Sequence, residues 1–373
     1  MSALLSAVFF FSGASALIFE TLWFRQAGLA FGNSIWASSL VLSGFMGGLA
    51  LGNALVARAG TRLSNPVRAY ALAEAAIALT GVGLVYLFPV LGAMLAPLFR
   101  PLLDHPWALN PLRLLVAFLL LLIPSTAMGI TLPLLTRALM RDDRSFGRVL
   151  GALYGWNTLG AMTGVVAGEM FLVGALGVRG TALAAGALNL LAAGVAGLLA
   201  GGYASHGFVA PRNPPHGRRP GPATRPVPAE RGPGGSQWLV AAFLSGFSLL
   251  ALEVIWFRFL LLFVKGHSNA FPVMLGVVLA GIAFGGLAAS AWLRFVRDAH
   301  RFAAPLAFVA GVATVVSYAT FPSVMAPFGL SSITRPAAIL RVGLPLMLPV
   351  SFVSGMFFPL VGAALRAALR SEI

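Results

Sequence analysis

The sequence predicts an all-α integral membrane protein of about ten transmembrane helices, arranged as two parallel repeats of six and four. Three observations predict it. The 373 residues are 59% hydrophobic and 9% charged with a mean hydropathy of +0.91, whereas a soluble globular domain carries about 25% charged residues. Apolar runs of about 20 residues, the length that crosses a bilayer, recur along the chain. Finally, the stretch Ser12 to Arg25, SGASALIFETLWFR, returns as Ser245 to Arg258, SGFSLLALEVIWFR. At that offset of 233, Gly13, Glu20, Trp23, Phe24 and Arg25 fall on Gly246, Glu253, Trp256, Phe257 and Arg258. So dense an identity, in an apolar helix bearing an acid, marks an internal duplication.

In chain order, six spans fit the first half, at about 3 to 24, 35 to 57, 69 to 97, 112 to 136, 150 to 175 and 180 to 200. The N-terminus lacks the basic region and cleavage site of a signal peptide and reads as a retained first helix. These spans make a membrane bundle over residues 1–201. Residues 202–236 are rich in Pro, Gly and Arg with little apolar content, a composition that cannot bury enough surface to fold alone. They read as a disordered cytoplasmic linker, or alternatively as a basic tether to anionic lipid. Four spans follow within 237–373, at about 237 to 257, 270 to 292, 302 to 325 and 342 to 365.

The formal charge of +15 does not signal nucleic-acid binding, because the arginines lie in the loops between apolar runs, where they set topology. With the N-terminus cytoplasmic, the inner side of the first half and the linker carry twelve arginines, including Arg58, Arg62, Arg68, Arg137 and Arg148. The outer side carries four: Arg25, Arg100, Arg113 and Arg179. The second half is nearly balanced, five arginines inside against Arg258, Lys265, Arg335 and Arg341 outside. Both termini are therefore expected on the cytoplasmic side. The absence of cysteine excludes disulfides, thiolate metal sites and a cysteine nucleophile.

The duplication continues beyond the opening helix. At an offset of 234, Ser34, Gly47, Gly52 and Ala54 meet Ser268, Gly281, Gly286 and Ala288; at 226, Gly129 and Pro133 meet Gly355 and Pro359. An even number of spans per repeat gives both repeats one orientation, with a pseudo-axis along the membrane normal. Nothing after Ile373 answers the fifth and sixth spans, so the second repeat reads as incomplete.

Four pieces carry a resemblance: SGASALIFETLWFR with its repeat, GFMGGLALGNALVARAG, GITLPLLTRAL, and GRVLGALYGWNTLGAMTGVVAG leading into LGVRGT. With them the chain resembles the membrane region of the bacterial fused major facilitator/spermidine synthase-like proteins. The resemblance covers most of residues 8–200 and, more loosely, 240–365, and it implies a major-facilitator-like bundle in a bacterial inner membrane. Arg58 to Arg62 is also similar to the R-x-G-x-R loop of the wider superfamily, with Ala57 where its acid would stand. The aminopropyltransferase activity of the resembled proteins needs a Rossmann-like domain with a glycine-rich turn. This chain offers only Gly232 to Gly235 in the linker, so no enzyme and no cofactor are expected of it.

The five histidines, His105, His206, His216, His267 and His300, lack metal-ligand spacing, and Asp142-Asp143 sits among arginines as charge balance. Chemistry is sought instead in the acids inside apolar spans: Glu20, Glu74, Glu169 and Glu253. A charge at the bilayer centre costs about 3 kcal/mol or more, so such residues face an interior or a cavity and have partners. A purely structural reading pairs Glu20 with Arg25 and Glu253 with Arg258. Five residues of separation place these about 140° apart around a helix, which favours a partner from another helix. Asn157, polar within the fifth span, is a further cavity-lining candidate. Trp23 and Trp256 are expected in the interfacial belt. Gly44, Gly48 and Gly52 form a small-residue stripe for close helix packing. Pro124, Pro133, Pro349 and Pro359 break the helical ladder in the fourth span of each repeat, a source of hinges.

Two functions are compatible with this reading. One is a transporter in which Glu20 and Glu253 offer negative charge to a cation or proton, a polyamine being the cargo the resemblance implies. The other is a membrane scaffold for a spermidine synthase-like partner; the incomplete second repeat favours this reading or a chain that is a fragment of a longer fused protein.

Overall fold

The fold is given by a computed structural model that describes residues 2–31, 35–140, 145–205, 235–264, 267–296, 299–328 and 333–371. Nearly all of the linker, the Asp142-Asp143 pair, Glu230, Asp298 and Glu372 lie outside them. The described residues form ten long helices: α1 (Ser2–Phe31), α2 (Ile35–Ala59), α3 (Pro66–Phe99), α4 (Pro106–Leu139), α5 (Phe146–Ala167), α6 (Val173–Ser205), α7 (Gly235–Leu261), α8 (His267–Phe295), α9 (Ala303–Met325) and α10 (Pro336–Ser371). Among the described residues eight helical stretches are long and apolar enough to cross a membrane, one of them running from Phe146 to Gly202 through α5 and α6. The outside is clad in apolar side chains such as Leu79 and Leu198, both more than three-quarters exposed, which suits lipid rather than water.

Local sequence sets the helix boundaries. Pro66, Pro106 and Pro336 start α3, α4 and α10 where a missing N–H costs nothing. Asn65 caps α3 by accepting the Arg68 N–H at 3.0 Å. Between α5 and α6 runs a π-helical turn, Gly168–Leu172, and then Gly177 bends the chain with φ 66° and ψ 179°, a backbone conformation that only glycine adopts readily. That bend falls between the fifth and sixth spans read from the sequence.

Close packing follows the glycines. A Cβ on Gly52 would overlap the Thr126 carbonyl, and one on Gly48 would lie 2.5 Å from the Ser125 Cβ, so α2 and α4 meet backbone to backbone. The α8–α10 seam is built the same way, through Gly281, Gly285 and Gly355. Helix α5 carries two stripes. Gly147, Gly151 and Gly155 face α8 and α10, while Gly160, Gly164 and Gly168 face α1. Within each stripe the spacing is four. The step of five between Gly155 and Gly160 turns the second stripe about 140° around the helix, and α5 is thereby wedged between α1 and α8.

Cross-helix contacts fix the directions. Phe9 meets the Tyr70 ring, Ser12 bonds Glu74 and Trp23 bonds Gly81, so α1 and α3 run parallel. Asn65 bonds Ala200 and Gly186 lies beside Val82, so α6 runs against them.

The four candidate hinge prolines do not interrupt their helices: α4 continues through Pro124 and Pro133, and α10 through Pro349 and Pro359. Pro359 instead serves as a packing surface, its ring 3.2 Å from where a Cβ on Gly151 would stand.

Candidate functional site

Glu20 on α1 and Glu253 on α7 lie within electrostatic reach of one another, each residue partly buried. Both sit in the repeated stretch, so the same local sequence delivers both. One turn further along each helix, on the same face as the acid, stand Phe24 and Phe257. Phe24 stacks on Phe271 of α8, ring centroids 5.9 Å apart and planes 5° from parallel. Phe257 meets the same ring edge-on at 5.5 Å and 82°. Three rings from three helices thus meet one helical turn beyond the two acids.

The other intramembrane acids are spoken for. Arg25 donates to Glu169 at 2.6 Å, reaching from α1 to the π-helical turn after α5, with side-chain exposures of 44% and 9%. The structural reading that paired Arg25 with Glu20 is therefore corrected: the partner comes from another helix, as the helical angle required. Glu74 is fully buried between α1 and α3, where it accepts from the Ser12 hydroxyl at 2.5 Å and is faced by the Tyr70 hydroxyl. Ser12 is eight residues before Glu20, about 12 Å along the helix, so Glu74 belongs to a different place. Asn157 lies at the α1–α5 seam, its carbonyl against Gly13. Among the five candidates, the structure brings together Glu20 and Glu253 alone. Arg258 is exposed on α7.

The belt reading of the tryptophans is also corrected. Trp23 is 1% exposed and Trp256 0%. Trp23 stacks on Phe19 at 5.5 Å and donates its indole N–H to the Gly81 carbonyl at 3.2 Å. It is a core residue, because α3 supplies both an apolar wall and an acceptor. Among the described residues, no three His, Cys, Asp or Glu side chains gather as a metal site.

No protein-family model, curated protein or solved structure matches the chain. It is an all-helical, multi-pass membrane-embedded protein. The resemblance drawn from its motifs rests on those motifs alone.

Reasoning from sequence did not find Phe271. Opposite it in the repeat stands Ala37, so the duplication gives no signal there. The Glu169 partner of Arg25 and the double glycine stripe of α5 were also missed, although the six-glycine spacing is visible in GRVLGALYGWNTLGAMTGVVAG.

Proposed function

We propose that the chain is a transporter-like membrane protein whose Glu20 and Glu253 together bind a cationic solute, with an organic polyamine such as spermidine as its cargo class. The observation that carries this reading is the approach of two repeat-related carboxylates beside the Phe24, Phe257 and Phe271 rings. Two carboxyl groups kept together in an apolar protein call for a counter-charge whenever both are ionised. Ring faces add attraction for an ammonium group, about 0.5–2 kcal/mol each, while the methylene stem of a polyamine lies against their apolar surface. In this reading residues 1–201 and 237–373 are two parallel, major-facilitator-like repeats in a bacterial inner membrane, termini and linker cytoplasmic. The likeness of the α2–α4 and α8–α10 seams supports that arrangement.

The second reading, a non-transporting scaffold for a spermidine synthase-like partner, draws on one observation: α7 leaves Phe243 and Phe247 more than 60% exposed. Titration of spermidine into the reconstituted protein separates the two. Glu20→Gln and Glu253→Gln should each weaken binding about ten- to a hundredfold, the worth of one charge-assisted contact. Equal affinity in all three proteins would reject the transporter site.

A further inference from the structure

Helix α7 repeats α1 in sequence but lacks its neighbours. Helix α1 is buried along much of its length, whereas on α7 only Gly235, Trp256 and Leu260 are buried and the apolar stretch before Trp256 is open. On α1, the Phe10 and Ala14 carbonyls press on Gly160 and Gly164 of α5, and Gly13 abuts the Asn157 carbonyl. Ser15 donates to the Ala185 carbonyl of α6 at 2.8 Å, and Arg25 pairs with Glu169.

Each of these positions has a counterpart 233 residues later. Phe243 and Phe247, answering Phe10 and Ala14, are exposed and stack on each other at 6.2 Å. A Cβ on Gly246 would meet nothing within 4 Å. Ser248, answering Ser15, lines an open groove between α7 and α9, where Ala310, Gly311 and Thr314 form the opposite wall and Val350 of α10 the floor. In the first half α6 occupies the corresponding place, since Ser15 of α1 bonds it and Val82 of α3 touches its Gly186. Arg258, answering Arg25, is exposed, and among the described residues no carboxylate is paired with it. The other helix pairs match, α8 packing along α10 as α2 along α4 and α9 on α10 as α3 on α4, but α7 leans on α10 and barely touches α9, where α1 packs directly on α3.

We propose that this face docks a transmembrane helical hairpin built like α5 and α6 that is not among residues 1–373. Its first helix lays a stripe of glycines spaced by four on the α7 backbone at Phe243, Gly246 and Phe247. A carboxylate just beyond that stripe pairs with Arg258. Its second helix fills the α7–α9 groove. A second copy of this chain fits poorly, because its own α5 and α6 are already engaged by α1, α3 and α8, and α9 has no acid to offer Arg258. The inference stands whether or not Glu20 and Glu253 bind a cation.

The test uses the full chain, affinity-tagged in bilayer nanodiscs, with a separately produced polypeptide of residues 145–205 of this chain as the docking probe. The probe should be retained by the full chain. Arg258→Glu should reduce retention about tenfold, the worth of a charge-assisted pair, and the same probe carrying Glu169→Arg should restore it. Gly246→Leu should block it, because a side chain there fills the space the probe backbone needs. No retention, retention indifferent to the Arg258 charge, or a full-length dimer that Gly246→Leu dissolves would overturn the proposal.

Discussion

The Arg25–Glu169 pair makes a quantitative prediction, because its two ends are buried unequally. Glu169 is 9% exposed and Arg25 44%. Arg25→Ala strands a carboxylate that has almost no other environment, and breaking a buried pair in this way costs about 3 kcal/mol. Glu169→Gln strands a guanidinium that can reach water or headgroups on its long stem, and the cost should resemble that of a surface pair, about 1 kcal/mol. The double variant should cost no more than Glu169→Gln alone, well below the sum of the two, since with Arg25 gone there is no longer a charge to strand. Arg258→Ala, at the exposed counterpart, should stay within about 0.5 kcal/mol. Denaturant titration in mixed micelles, followed by tryptophan fluorescence, measures all four. Equal costs for Arg25→Ala and Glu169→Gln, or a cost at Arg258 matching that at Arg25, would refute the reasoning.

Trp23→Ala should destabilise by about 3–5 kcal/mol, as for a buried tryptophan, where an interfacial anchor would lose far less; thermal unfolding distinguishes them. Gly285→Leu should abolish the monodisperse species on size exclusion, because a Cβ there overlaps the Phe352 carbonyl, whereas Gly197→Leu, with nothing within 4 Å, should leave it intact. A cysteine placed at Ala223 in this cysteine-free chain should resist an impermeant maleimide in intact cells if the linker is cytoplasmic, and labelling there would reverse the proposed orientation.

Much of the fold is legible because the bilayer imposes a simple rule on length and polarity. The bend at Gly177 and the Gly44, Gly48 and Gly52 seam follow from residue types whose geometry leaves few options. The pairing of Glu20 with Glu253 was suggested by the repeat itself. What was not legible depends on neighbours remote in sequence. A tryptophan at a helix end looks the same whether it faces lipid or a partner, and the acceptor for Trp23 lies 58 residues away. Arg25 reaches across 144 residues to Glu169, an acid that in one dimension is as good a site candidate as Glu20. Phe271 has no repeat partner, so only the fold brings it to the acids.

The central claim is that Glu20 and Glu253 are a binding pair and not a structural one. Two carboxylates that repel each other cost stability when no cation lies between them. The melting temperatures of wild type and of Glu20→Gln/Glu253→Gln, each with and without spermidine, therefore test the claim most directly. Without ligand the double variant should melt no lower than wild type, and at a spermidine concentration of about one hundred times its dissociation constant only the wild type should gain stability, by about 2.7 kcal/mol. A double variant that melts lower without ligand and responds to spermidine as wild type does would contradict it.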